Sequence, residues 1–331
     1  MADISVLGSG SWGTAIAICL ANGGHNVKVW SRNRDTALEI SSLRENKRYL
    51  PGVKIPEGVS FTADMQKCAD AEVIIIGTPS HTVREVSKKL APFVRDGQVI
   101  VSISKGFDEE EYRRLSVVIN EEIPNAVVAA MSGPSHAEEV ALGLPTTNVV
   151  AHPDIKVAQY IQGLFMSPPF RLYASDDIIG VELGGSLKNV IALCAGISDG
   201  LGYGDNTKAA LMTRGMAEII RLGVAMGARG ETFTGLSGIG DLIVTCTSMH
   251  SRNRRAGILI GQGKTAEEAQ REVGMVVEGV KTAKAVHFLS QKYGVEMPIS
   301  NEAYKVLFEN LPAKDCVKNL MERSMKNETK E

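Results

Sequence analysis

Along the first half of the chain, short apolar runs alternate with amphipathic stretches, as they do where strands and helices follow one another in turn. Residues 4–7 read as a buried strand, residues 13–21 as a helix and Asn26–Trp30 as a second strand. Residues 36–43 continue as a helix, 46–56 as an irregular segment and Val59–Thr62 as a short strand. The uninterrupted apolar run at 71–77 is that of a parallel strand covered on both faces, and Thr78-Pro79-Ser80 predicts the cap of a helix over 81–90. Strands are expected at 98–103, 126–131, 145–151 and 170–173, with a helix at 154–164. From about Asp177 the strand pattern stops, and helical periodicity covers 178–197, 207–226, 252–260, 282–289 and 301–308. The pattern therefore predicts an α/β domain over 1–177 and an all-α domain over 178–331, and 331 residues suffice for two cores.

The first strand ends in Gly8-Ser9-Gly10-Ser11-Trp12-Gly13, a GxGxxG run between a strand and a helix. Gly8 suits a tight turn, Gly10 lets a pyrophosphate approach the backbone, and Gly13 lets the helix lie close on the strand, so the domain reads as Rossmann-like and dinucleotide-binding. The helix start adds unpaired N–H groups and a positive dipole end. An acidic residue about twenty positions on would favour NAD, but this chain has Ser31-Arg32-Asn33-Arg34. Arginine forks a 2′-phosphate, so NADPH is favoured over NADH. Tyr49 is either a cover for the cofactor or a loop anchor. Lys105, after the strand at 98–103, should point into the ligand crevice, while Gly133 and Ser135 offer a backbone approach and a helix start.

In the helical half, Lys188 stands in an apolar helix after Gly184-Gly185-Ser186-Leu187, which makes it a candidate for burial. Gly235-Leu236-Ser237-Gly238-Ile239-Gly240-Asp241 bends the chain and presents an aspartate that would orient the ammonium of Lys188 or bind a substrate hydroxyl. Ser251 is a good N-cap, with Arg252 and Asn253 in the first helical turn, and such an end grips phosphate. A cleft is expected where a dinucleotide domain meets a helical one.

A formal charge of −2 is too small to direct the whole molecule to nucleic acid or to an anionic membrane. No apolar run approaches the roughly 18 residues of a spanning helix, and Met-Ala-Asp-Ile is no signal start, so a cytoplasmic protein without membrane insertion is expected. Five cysteines without a CxxC, and histidines without paired spacing, give no foothold for disulfides, metal or histidine catalysis. Oligomeric state is left open, a homodimer included.

Taken together, residues 8–14, Ser104-Lys105-Gly106, Ser132-Gly133-Pro134-Ser135, residues 184–189, residues 238–241, residues 251–253 and Val277-Glu278-Gly279 resemble the soluble NAD(P)-dependent glycerol-3-phosphate dehydrogenases over almost the whole chain. The resemblance implies reversible reduction of dihydroxyacetone phosphate to sn-glycerol 3-phosphate, feeding phospholipid synthesis, with Lys188 as the acid and base. It places Lys105, Gly133, Ser135, Lys188, Asp241, Ser251, Arg252 and Asn253 around the substrate. It places Gly8, Gly10, Ser11, Trp12, Gly13, Arg32, Tyr49, Lys105, Ala137, Arg252, Val276 and Glu278 around the cofactor. The alternatives are another hydroxyacid or 6-phosphogluconate-type dehydrogenase, or a non-catalytic dinucleotide-binding redox sensor.

Overall fold

The computed structural model describes residues 1–325 and 327–328. Its strands are β1 (Asp3–Leu7), β2 (Asn26–Trp30), β3 (Glu45–Asn46), β4 (Leu50–Lys54), β5 (Val59–Thr62), β6 (Val73–Ile76), β7 (Val99–Ser102), β8 (Val127–Ser132), β9 (Thr146–Ala151) and β10 (Phe170–Ser175). Eight of them form one sheet in the order β10-β9-β8-β7-β6-β1-β2-β5, and β3 pairs with β4 in a separate hairpin. Every pair in the large sheet is parallel except β8 with β9.

After β1 the chain builds outward through β2 and β5, then returns to the other side of β1 with β6, β7 and β8. The order reverses between β1 and β6, and in open parallel sheets ligands bind outside the carboxyl ends of the strands at that point. Gly8 follows β1 there, and Gly77 follows β6. The apolar runs are explained by burial on both faces. Along β6, Val73 and Ile75 join the core under helix Ser11–Asn22, while Ile74 and Ile76 join a second core with Leu115 and Ile119.

The chain divides into two compact units, Met1–Ser186 with Gly223–Val244, and Leu187–Leu222 with Thr245–Glu331. The chain passes between these units after Ser186, Leu222 and Val244, and polar contacts within the first unit hold its later pieces. Asp177 caps helix Ile178–Gly200 by accepting from Gly180 N at 2.9 Å, and it also accepts from Arg229 N at 3.0 Å and Thr232 Oγ1 at 2.6 Å. Glu182 accepts from Arg114 Nη1 at 2.6 Å and Ser116 N at 2.9 Å. These two carboxylates, Asp177 buried and Glu182 half-buried, tie the helix start and the returning segment to the sheet domain.

In the second unit, Gly196 and Gly200 of helix Ile178–Gly200 face Gly257 and Gly261 of helix Arg252–Gly261. A Cβ at Gly196 would come within 2.9 Å of the Gly257 Cα, so these two backbones touch only because side chains are missing.

Several expectations are corrected. Residues 46–56 are not irregular, since β4 lies within them. The helix after β6 begins at Val83, preceded by a 3₁₀ turn Ser80–Thr82, and its N-cap position is Thr82, which makes no side-chain cap. Helices Leu115–Glu122, Ala266–Val273 and Ala313–Met321 were not foreseen. Helix Ile178–Gly200 is, against expectation, long and apolar enough to cross a membrane, with mean hydropathy 1.5, but 89% of its most apolar window is buried inside the protein.

Candidate functional site

The glycine loop fits a dinucleotide. A Cβ on Gly8, whose φ is +125°, would come within 2.8 Å of the Gly77 carbonyl oxygen, and one on Gly13 would collide with the Gly8 carbonyl oxygen. Both glycines are therefore needed by the turn itself. Gly10 differs, because no protein atom lies within 4 Å of where its Cβ would be. Protein packing does not demand that glycine, and the open backbone there fits the close approach of a pyrophosphate. Helix Ser11–Asn22 makes its first internal bond from Thr14 N to Gly10 O at 2.9 Å, has no side-chain cap and has no acidic residue in its first turn. The N–H groups of Ser11, Trp12 and Gly13 precede that bond at the positive end of the helix, where an anion is stabilised.

Around this loop, Trp12 packs against the sheet core. Ser9 Oγ donates to Ser31 Oγ at 3.0 Å, joining the loop to the end of β2. Arg32 and Arg34 are exposed, and between them Asn33 caps helix Arg34–Leu43 through Thr36 N. Tyr49 sits half-buried in the turn between β3 and β4. Ala137 is buried at the start of helix Ala137–Ala141, which packs on helix Ser11–Asn22.

Lys105, Gly133, Ser135 and Asp241 come together in the first unit. Lys105 Nζ donates to Asp241 Oδ2 at 2.7 Å, to Gly133 O at 3.0 Å and to Ser135 Oγ at 3.5 Å. Asp241 is 1% exposed, and it pairs with the Lys105 ammonium. It is delivered by the bend at Gly235, where Gly184 lets helix Ile178–Gly200 come so close that a Cβ would lie 2.5 Å from Ser237 O. Ser135 was expected to cap a helix, but the N-cap position is His136, and the Ser135 hydroxyl donates to Gly133 O at 2.8 Å.

In the second unit Lys188 is 5% exposed, and its Nζ donates to Thr245 Oγ1 at 2.6 Å. Sequence reading missed Thr245. Its signal was the spacing, since it follows Asp241 by four residues in helix Asp241–Thr247. Ser251 caps helix Arg252–Gly261 by accepting from Arg254 N at 3.2 Å, as its sequence suggests, and no acidic residue lies in that helix's first turn. Arg252 is half-buried there. The neighbouring Arg254 is committed to Asp199 at 2.8 Å and to Thr247 O at 2.7 Å.

Asn253 has a role that its expected place around a substrate did not suggest. Its Nδ2 donates to Asn189 Oδ1 at 2.9 Å, and its Oδ1 accepts from Gly279 N at 2.8 Å. One buried amide thus joins the residue after Lys188 to the helix start that carries Val276 and Glu278. Asn189 was missed as well, although it lies inside the recognised 184–189 block.

Among the described residues, no group of three or more His, Cys, Asp or Glu side chains is placed to hold a metal ion. Burial pushes the Cys19 and Cys68 thiols up to about 11, which keeps them protonated and unreactive at neutral pH.

Residues 3–158 match the N-terminal family profile of NAD-dependent glycerol-3-phosphate dehydrogenase, and residues 177–318 match its C-terminal profile. The chain is 54% identical over 329 residues to a glycerol-3-phosphate dehydrogenase (NAD(P)+) of Clostridium perfringens strain 13, covering 99% of each. It is 55% identical over 326 residues to the protein of that name from Thermoanaerobacter sp. strain X514, covering 98% of each. Among solved structures, the glycerol-3-phosphate dehydrogenase of Coxiella burnetii superposes with a TM-score of 0.93 at 39% identity, over 97% of this chain and 99% of that one.

Proposed function

The chain belongs to the NAD-dependent glycerol-3-phosphate dehydrogenase family, and from that premise we propose that Lys188 moves the proton and residues 251–253 grip the phosphate of its substrate. The reaction is the reversible NAD(P)H-dependent reduction of dihydroxyacetone phosphate to sn-glycerol 3-phosphate. When bound, the reduced dinucleotide supplies the hydride for carbon 2. The ketone oxygen, gaining the electron pair of its double bond, takes a proton from the Lys188 ammonium, and the lysine recovers one from water. The glycine loop at residues 8–13 holds the pyrophosphate.

The observation that carries this reading is a buried lysine whose ammonium is aimed by a hydroxyl 2.6 Å away. A general acid acts only from within hydrogen-bond reach and in a fixed direction, and Thr245 supplies the direction. Oxidation of glycerol 3-phosphate needs the neutral amine, so that direction gains rate toward alkaline pH. At the start of helix Arg252–Gly261, the positive end of the dipole and the Arg252 fork suit a phosphate. Lys105, Gly133, Ser135 and Asp241 are assigned to the substrate as well. Through Gly279, Asn253 steadies the segment of Val276 and Glu278, which is assigned with Arg252 to the cofactor. With Arg32 and Arg34 rather than an acidic side chain in the four residues after β2, the fit is better to NADPH than to NADH. The product is the glycerol backbone of phospholipids, made in the cytoplasm.

The test is Lys188→Met assayed with dihydroxyacetone phosphate and NADPH. Turnover should fall by about a hundredfold or more while dinucleotide affinity stays within a few-fold. Near-normal turnover would remove Lys188 from the chemistry. Dihydroxyacetone, which lacks the phosphate, should lose turnover as well as affinity, because binding energy at the phosphate positions the carbonyl.

A further inference from the structure

The turn between β3 and β4 is fastened to the glycine loop by one side chain. Asn46 is 1% exposed, and its amide nitrogen donates to Ser9 O at 2.9 Å and to Thr14 Oγ1 at 2.8 Å. Ser9 lies between the first two glycines of the loop, and Thr14 lies in the first turn of the helix that they open. On its other side, Asn46 Oδ1 accepts from Tyr49 N at 3.3 Å. The hairpin is closed by Gly52 N donating to Glu45 Oε1 at 2.8 Å. Both donor hydrogens of the amide are thus spent on the loop, and its acceptor is spent on the turn.

What the turn carries is a cation on an aromatic ring. The exposed Arg48 guanidinium lies 5.1 Å from the centre of the Tyr49 ring, an arrangement with a flat face and a positive edge. Apolar packing would hold such a turn down without fixing its orientation. A buried amide with both ends satisfied sets one register, since any other leaves polar groups unpaired.

We propose that Asn46 is a positioning residue for the dinucleotide, latching the Arg48–Tyr49 pair over the phosphate-binding loop so that ring and cation meet the bound nucleotide already oriented. This rests on the dinucleotide reading of the loop given above. Preorganising a contact removes the ordering cost from the binding step, so the effect belongs to nucleotide affinity.

The experiment measures NADPH binding by the full-length protein, through nucleotide fluorescence without substrate, and steady-state KM for each substrate. Asn46→Ala should weaken NADPH binding about tenfold or more, with the KM for dihydroxyacetone phosphate moving far less. Asn46→Asp keeps the acceptor for Tyr49 N but loses the donors to the loop, and should fall close to Asn46→Ala. Once Arg48 and Tyr49 have both been changed to alanine, adding Asn46→Ala should cost almost nothing more, because the latch then holds nothing of use.

Equal losses with and without the turn's side chains would overturn the proposal, and so would unchanged NADPH affinity in a folded Asn46→Ala protein. If Asn46→Ala does not fold, Thr14→Val removes one of the two acceptors within the same volume. It should weaken NADPH more than dihydroxyacetone phosphate, and the reverse order would refute the latch. A wild-type protein that binds no dinucleotide would instead sink the reading of the loop.

Discussion

Glu218 is a carboxyl group almost cut off from water, yet it receives Ile299 N at 2.6 Å, Ser300 N at 3.1 Å and Ser300 Oγ at 2.9 Å. It thereby caps helix Pro298–Phe308, which makes no cap of its own. Burial pushes its pKa above the ordinary carboxylate value, and the three hydrogen bonds only partly offset that. A carboxyl raised on folding contributes stability that is complete below its unfolded pKa and is lost as pH rises through the folded one. The melting temperature of wild type relative to Glu218→Gln should therefore decline as pH is raised from about 4 toward 7, as read by thermal melts across that range. Glu218→Ala should be worse than Glu218→Gln at every pH, since each orphaned buried donor costs about 1–3 kcal/mol. The residues legible in the sequence are those whose type is imposed by chemistry or by sterics, such as Gly8, Gly13 and the N-cap Ser251. Glu218, Asn46, Asn189 and Thr245 were not legible, because a buried polar side chain is recognised by the partner that satisfies it, and that partner lies far away in the chain.

At the scale of elements, the parallel strands were legible because burial on both faces leaves unbroken apolar runs. The hairpin of β3 and β4 was not, because β3 has two residues and β4 contains Pro51 and Gly52. The direction of β9 was hidden too, since an apolar run reads the same either way and the antiparallel pairing with β8 depends on the path between them. Helix Ala266–Val273 was overlooked although Thr265 and Glu268 form a capping box, a signal present in the letters. The helix that opens the dinucleotide loop has the least tolerance. Gly13→Ala sets a methyl against the Gly8 carbonyl, so the helix must move off the strand. The expected outcome is a loss of about 1–3 kcal/mol in denaturant melts together with loss of NADPH binding. A variant that keeps both would show the loop to be looser than its contacts imply.

For the whole molecule, length and the change of pattern predict two domains, while the way the chain is shared between the two compact units leaves no mark in the sequence. Segment Gly223–Val244 belongs with the sheet unit, although helix-forming sequence surrounds it. Among its attachments, those of Asp177 to Arg229 and Thr232 and of Lys105 to Asp241 are polar contacts between distant positions, which leave no local pattern in the sequence. A fragment of residues 1–177 should therefore melt without a cooperative transition and bind no NADPH. A chain in which a long glycine–serine linker replaces Leu187–Leu222, ending at Val244, should recover both properties, as followed by circular dichroism and nucleotide fluorescence. Cooperative melting of the short fragment would show that the returning segment is dispensable.

The pairing of Lys105 with Asp241 also governs how such enzymes could exchange parts. A chimera joined after residue 177 would take the lysine from one parent and the aspartate from the other, together with whatever spacing each lineage has drifted to. Crossovers at that visually obvious seam would then split a matched charge pair, whereas grafts carrying residues 223–244 along with the sheet would inherit it intact.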